Sequence, residues 1–339
     1  MKPCFCIKRK SLFLTKNSLK GLTMTNKLPT QKDVINYMDT LTNWGRWGKE
    51  DQLGTLNLIT STTRLNAIKL IEDGISISCS RPLIPEIAPD IRFQFSRFAI
   101  DTGEHREDTT SDAENNRRGA SEFIGMVFHG MNVTHIDSLS HMFWNGKMYN
   151  GFSSNEVTSG QGTQKNAVDV AINGILSKCV LLDIPLLKNK KWLSSDEYVL
   201  PEDIENAEKY FNVNVEPGDI LLIRTGNYKR RLEEGPSNPT VSGVTSCHVA
   251  CAPYFKKKDI SLLGSDSPND INPSPYPNLR FPLHTVCLIG MGLWFLDNAN
   301  LEQLASECIK RNRWSFTLSI NPLDQKNCPG SPVNPVAIF

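Results

Sequence analysis

Long apolar runs are missing from this 339-residue sequence. The longest, VCLIGMGLWFL at 286–296, falls well short of the roughly 20 residues that span a bilayer. It reads as buried core, and a membrane partner is excluded. A charge excess is missing too: the formal net charge is +1, whereas nucleic-acid partners demand a strong basic surplus. Nine cysteines in a chain this long make no dense disulfide framework. Cys79, Cys179, Cys287 and Cys308 sit within apolar segments, where free cysteine packs as a small hydrophobe. Cys247 and Cys251 have no second pair at zinc-finger spacing. A reduced, cytoplasmic setting follows. A GxSxG elbow is also lacking, which weakens a serine-hydrolase reading.

What is present is a globular composition, with 39% apolar and 22% charged residues, enough for a core. Residues 1–23 carry six Lys or Arg and no acid. Residues 1–30 therefore read as an unstructured leader, or as lying partly upstream of a start at Met24. An organellar transit peptide is the alternative, since those are basic and acid-poor. Residues 31–339 form one continuous block in which strand and helix signals alternate. KCVLLDI, GDILLIRTG and DISLLGSD are near-continuous apolar runs bounded by Gly or Asp, the pattern of strands buried on both faces. ISISCS reads as a short further strand, and WSFTLSINP closes the core. LPEDIENAEKYF opens with Pro201 and two acids, a helix start. TSTTRLNAIKLIEDG predicts a capped helix with Leu65, Ile68 and Ile71 on one face and Gly74 as its stop. NLEQLASECIKR predicts another, with Asn300 and Gln303 as a capping box. Mixed elements in one block imply an α/β domain. Residues 101–120 are polar and read as a surface loop or flap.

Three of only six histidines fall within VFHGMNVTHIDSLSHMFWNG. In an extended segment alternate residues share a face, so His135 and Asp137 point the same way, about 6.6 Å apart along the strand. Both can converge on one ion. His129 has the same parity but lies too far along a straight strand. It joins only if the chain bends, which Gly130 permits. His141 follows SLS, where a turn can bring it back over the site. Imidazole with carboxylate suits Zn²⁺ or Mn²⁺. A single histidine in an apolar stretch is usually a hydrogen-bonded core residue, but HID with a third histidine four residues on is harder to dismiss. Asp266, ending a predicted strand, is a candidate to orient a ligand or to cap the SDSPND turn. Trp44 and Trp47, in a Gly-punctuated segment, are candidates for an aromatic substrate pocket, with core packing as the alternative. His248 and His105 carry no assignment.

THIDSLSH resembles the THxDxxxH portion of the cyclase family of metal-dependent hydrolases, which includes bacterial kynurenine formamidases and isatin hydrolase. WGRWGKEDQLGTLNLIT (44–60), GDILLIRTG (218–226), LLGSDSPNDINPSP (262–275), PLHTVCLIGMGLWFLDNANLEQLA (282–305) and PGSPVNPVAIF (329–339) look like its longer members. The resemblance implies a single-domain α/β fold of the swivelling β/β/α kind and a divalent metal, Zn or Mn. It also implies hydrolysis of an amide or related C–N bond in a small carbonyl compound, such as an aryl formamide like N-formylkynurenine. Carried over by position, His135 and Asp137 match metal ligands and His141 the proton-handling histidine. His284 matches the histidine of a second metal position, and the acid that follows it falls near Asp297. Asp297 also reads as a helix N-cap, although Asn298 and Asn300 can fill that role. The family's first ligand histidine falls on Met131, whose thioether is a poor ligand for Zn²⁺ or Mn²⁺. His129 is the candidate replacement. A homo-oligomer is expected from the relatives.

A divalent ion makes water nucleophilic near neutral pH, and an imidazole such as His141 can take its proton and return it to the leaving nitrogen. Two other readings stand beside this one. Met131 keeps alive a non-catalytic relative that binds a small molecule, and a metal-dependent lyase or cyclising enzyme would use the same ion.

Overall fold

The computed structural model describes residues 28–104 and 119–339, so residues 1–27 of the basic leader and 105–118 of the polar loop lie outside the described residues. One nine-stranded sheet organises what is described. Its centre is four parallel strands, Ile175–Asp183, Ile220–Arg224, Leu262–Ser265 and Trp294–Asp297. These contain the predicted apolar runs, and nearly every residue in them is buried. Each fully buried Leu or Ile contributes roughly 1.5–3 kcal/mol, so this centre is where most of the apolar stabilisation gathers. Helices and loops cover both faces, as all-parallel pairing requires.

Antiparallel strands complete the sheet. On one side Ser315–Ile320 pairs with Ile175–Asp183, followed by Val336–Ile338 and Ser76–Ser78. On the other, His135–Asp137 lies between Trp294–Asp297 and Gly330–Pro332. The fold is α/β, as the alternation of signals implied. Arg224 ties strand ends to a helix, donating to Asp183 at 2.9 Å and forking onto both oxygens of Glu302 at 2.9 and 2.8 Å. Among the described residues no helix is long and apolar enough to cross a membrane.

Two helix expectations need correction. The helix expected from TSTTRLNAIKLIEDG runs only Ser61–Ile68, capped by Thr60 as its hydroxyl accepts from the Thr63 amide. Its buried residue is Ala67, while Leu65 and Ile68 stand exposed. The apolar spacing was real but the small residue faces the sheet, because helix and strand approach closely there: the Thr317 hydroxyl donates to the Ala67 carbonyl. The last helix is Glu302–Arg311, with Leu301 at the N-cap and no side-chain cap. Asn300 accepts from the Glu302 amide at 3.3 Å, and Gln303 closes no box. By contrast Pro201–Tyr210 begins at its proline and buries Ile204 and Ala207, as its pattern predicts.

Ahead of the histidines, FIGMVFHG (123–130) is strand only through Ser121–Gly125, paired with Ser96–Asp101 in a separate two-stranded ladder. That ladder stacks Phe98 on Phe123 and leaves Phe98, Ile100, Phe123 and Ile124 exposed.

Candidate metal centre

His135, Ile136 and Asp137 form the second strand from the sheet edge, and all are buried. The pleat points His135 and Asp137 to one face, bringing His135 Nε2 to 3.4 Å from Asp137 Oδ1. Register adds Asp297, directly opposite His135 on the neighbouring strand. His135, Asp137 and Asp297 thus present ligand atoms within 4.8 Å of one another.

The chain bends at Gly130, whose φ of +143° is accessible to glycine and rare for other residues. The bend returns His129 over the strand, with Nε2 at 3.3 Å from Asp137 Oδ1. Asn298 fixes this loop, donating through its side-chain amide to the Gly130 carbonyl at 2.7 Å and the Val133 carbonyl at 3.2 Å. Gly330 makes room for it: a Cβ there would stand 2.8 Å from His129 Nε2 and 2.5 Å from the Ile136 carbonyl oxygen. After the strand, a turn in which the His141 amide donates to the Ser138 carbonyl lays the His141 ring on His129, centroids 4.0 Å apart and planes within 7°. His141 Nε2 is 4.0 Å from Asp137 Oδ1. His129, Asp137 and His141 make a second group with ligand atoms inside 4.8 Å.

His284 enters from the other side, as the first residue of a π-helical segment, His284–Met291. Its Nε2 lies 3.3 Å from Asp137 Oδ2. Four of the six histidines therefore face one carboxylate. Phe128 packs at 4.4 Å against His129, and Phe295 and Phe281 lie 4.7 and 6.1 Å from His284.

The electrostatics follow from this crowding. Burial pushes the Asp137 carboxyl up, but His141 and the facing imidazoles of His129, His135 and His284 outweigh it and hold it well below the usual range. Burial lowers His284, yet Asp137 and Asp270 hold it well above its ordinary value. His135 is raised likewise, burial being overcome by Asp137. His141 goes the other way: burial drives it down to about 3, with Asp137 opposing and the other imidazoles adding to the fall. Burial, together with the nearby Asp137 charge, raises Asp297.

Does this set suit a divalent ion? Neither buried oxygen of Asp137 has a hydrogen-bond partner within normal geometry, and neither does His129 Nε2. Charge-assisted N–H···O bonds run at about 2.7–2.9 Å. Ligand atoms held about 2.0–2.1 Å from a tetrahedral ion stand about 3.3–3.4 Å apart. The contacts of His129, His135 and His284 to Asp137, at 3.3, 3.4 and 3.3 Å, have the second spacing. Two of these imidazoles have their other nitrogen engaged, His135 Nδ1 with the Val133 carbonyl at 2.8 Å and His284 Nδ1 with Asp270 at 2.6 Å. Such outer partners leave Nε2 to face an ion. The residues fit.

The remaining candidates lie elsewhere. Met131 gives its carbonyl to Arg81 at 2.7 Å and lines a small cleft with Arg81, Asp90 and Arg230. His129, two residues earlier, is the side chain that reaches Asp137. The Asp266 carboxylate is fully engaged, accepting from the Thr225 amide, the Thr225 hydroxyl and the Gly226 amide at 2.7, 2.8 and 2.8 Å. It joins strands rather than facing the cluster. The Trp44 indole donates to the Ile289 carbonyl at 2.8 Å. Trp47 lies under the Arg46 guanidinium, 4.6 Å away, while Arg46 pairs with Asp259. Among the described residues, the rings set against the four imidazoles are phenylalanines and not these indoles. His248 stands apart, between Tyr198 and Tyr276. His105 lies outside the described residues. A cleft of about 700 Å³ lined by Glu205, Lys209, Tyr254 and Lys258 shares no residue with the cluster.

Sequence reasoning missed Asp270, Asn298 and Gly330, all of which shape the centre. Asp270 stood inside the quoted SDSPND run, but no local spacing links it to His284.

No curated protein matches the chain. Among solved structures, a crystal structure described as a novel cyclase shares 26% identity and a TM-score of 0.79, over 89% of this chain and 99% of that one. Isatin hydrolase A from Labrenzia aggregata matches at 20% identity and a TM-score of 0.56, over 82% and 98%. Isatin hydrolase A from Ralstonia solanacearum matches at 17% and 0.53, over 83% and 98%. The last two show the shared fold. The Cyclase family model matches residues 74–269, more than half the sequence, including the strand His135–Asp137 but neither of the two strands paired with it. The chain belongs to the cyclase family.

Proposed function

We propose that this protein is a metal-dependent hydrolase acting on an amide or related C–N bond of a small carbonyl compound. One observation carries the reading: a buried carboxylate with both oxygens unpartnered, ringed by four imidazoles, three of them at ligand-edge spacing. His135, Asp137 and His129 would hold a divalent ion, Zn or Mn, with Asp297 beside His135 and His284 at the other oxygen of Asp137. That ion supplies Lewis acidity, making water nucleophilic near neutral pH and polarising a carbonyl oxygen.

The chain's own residues would do the rest. His141 is neutral far below physiological pH, its protonation pushed down to about 3 by burial. A neutral ring has one nitrogen open to a proton from an attacking water, to be passed on to a leaving nitrogen. Its Nε2 stands farther from Asp137, at 4.0 Å, than those of the other three imidazoles, which suits a proton carrier better than a ligand. Phe128 and Phe281 flank the cluster and favour a flat, apolar substrate body. Aryl formamides such as N-formylkynurenine fit that description, and so do cyclic amides, the class acted on by the isatin hydrolases that share the fold.

The test is metal analysis of protein purified without added ions, followed by assay on an aryl formamide and on isatin. Stoichiometric Zn or Mn with C–N cleavage supports the proposal; protein that takes up no divalent ion at any pH overturns it. The non-catalytic reading loses its motivation where His129 occupies the place Met131 leaves. A lyase or cyclising activity draws support from the family name and from the novel cyclase at 26% identity; product analysis by mass separates it, since hydrolysis adds one water. The exposed apolar ladder of Phe98, Ile100, Phe123 and Ile124 supports a homo-oligomer, to be measured by light scattering.

A further inference from the structure

Asp270 is buried, and its hydrogen bonds run to Leu283 and His284. Its carboxylate does three things. Oδ1 accepts from the Leu283 amide at 3.0 Å, and Oδ2 accepts from the His284 amide at 3.0 Å and from His284 Nδ1 at 2.6 Å. The first two bonds satisfy amides at the opening of the His284–Met291 segment, where no intrahelical partner exists. The third is chemically different. A carboxylate only accepts, so the hydrogen of that bond belongs to the imidazole.

We propose that Asp270 is the positioning residue of the His284 imidazole, holding a hydrogen on Nδ1 and aiming Nε2 at the Asp137 carboxylate, so that a bound divalent ion would take the place of the Nε2 hydrogen. The inference rests on the reading of the centre as a metal site. Two geometric facts lock the arrangement. Asp270 grips backbone and ring of the same residue through one oxygen, so the ring cannot rotate without breaking a buried pair. Phe295 then closes the ring's other face edge-on at 4.7 Å, its plane at 84°. The Nε2 atom is left one direction to point, and Asp137 Oδ2 lies there at 3.3 Å. Asp266, four residues earlier in the same loop, provides an internal contrast. It too is a buried carboxylate accepting from two amides, but its third donor is a threonine hydroxyl, not an imidazole.

Asp270→Asn keeps the shape and loses the obligate acceptor. Zn²⁺ affinity, read by competition with a chromophoric chelator, should fall ~10–100-fold, the usual effect of removing a ligand's outer partner. Asp270→Glu should recover part of that loss. Asp266→Asn should lower the melting temperature while leaving Zn²⁺ affinity within about threefold of wild type, as expected for a group whose role is only structural. The tautomer is read directly on the Zn²⁺-loaded wild-type protein by nitrogen-15 NMR, with the His284 signals identified from their loss in His284→Gln. The expected spectrum has a hydrogen on Nδ1 in a short bond and none on Nε2. That measurement stands even if Asp270→Asn fails to fold. A hydrogen on Nε2 overturns the inference, as does unchanged Zn²⁺ affinity in folded Asp270→Asn. Wild-type protein that binds no Zn²⁺ overturns instead the reading of the site on which it rests.

Discussion

His284 and His248 are both buried, both begin short helical segments, and both lie within van der Waals reach of aromatic rings. Their surroundings send them in opposite directions. His284 stands between Asp137 and Asp270 and is held well above its ordinary pKa in spite of burial. His248 is pushed down to about 4 by burial, with Asp270 pulling the other way. Its Nδ1 accepts the Ala250 amide at 3.1 Å and its Nε2 meets the Tyr276 hydroxyl at 3.4 Å, so it is a neutral helix cap. Burial of a histidine is thus no mark of chemistry. Convergence of buried carboxylates on the ring is what distinguishes the two.

The sharpest way to break the contrast is to remove the charge at its centre. Asp137→Asn should abolish stoichiometric Zn or Mn and bring turnover to background, a larger loss than the ~100-fold expected from a missing proton carrier. His141→Ala should show that ~100-fold drop with metal content largely intact; equal loss of metal would make His141 a ligand. Gly330→Ala attacks the geometry instead. Its Cβ would meet the Ile136 carbonyl and His129 Nε2, at 2.5 and 2.8 Å. It should cost about 1–3 kcal/mol by urea denaturation and weaken metal binding together.

The smallest effect belongs to the other histidine. Because folding lowers its pKa to about 4, the unfolded chain takes up the proton first, at about 6.5. His248 therefore contributes stability that is complete above pH 6.5 and lost as pH falls toward about 4. His248→Gln should flatten the stability profile across that window while leaving metal affinity unchanged, measured by chemical denaturation at pH 7 and pH 5.

Much of this molecule was readable without coordinates. Continuous apolar runs bounded by Gly or Asp marked three of the four central strands, because a strand covered on both faces has no polar side to show. Alternation placed His135 and Asp137 on one face. The helix at Ser61–Ile68 was legible in its Thr60 cap but not in its facing, since only the neighbouring strand decides whether Ala67 or Leu65 turns inward. The same limit hid Asp270, whose link to His284 crosses a loop with no fixed period. It also hid Gly330, whose lack of a side chain matters only because His129 folds over it.

Local order along the chain was enough to specify the strands, the cap at Thr60, the helix start at Pro201, and the HID pair, since pleat and helix turn repeat over two to four residues. Whether His129 or Met131 reaches Asp137, and that Asp297 lies opposite His135, was settled only when distant strands paired and the loop bent at Gly130. Register and loop closure depend on contacts between residues far apart in the chain, and no spacing rule within a segment carries that information.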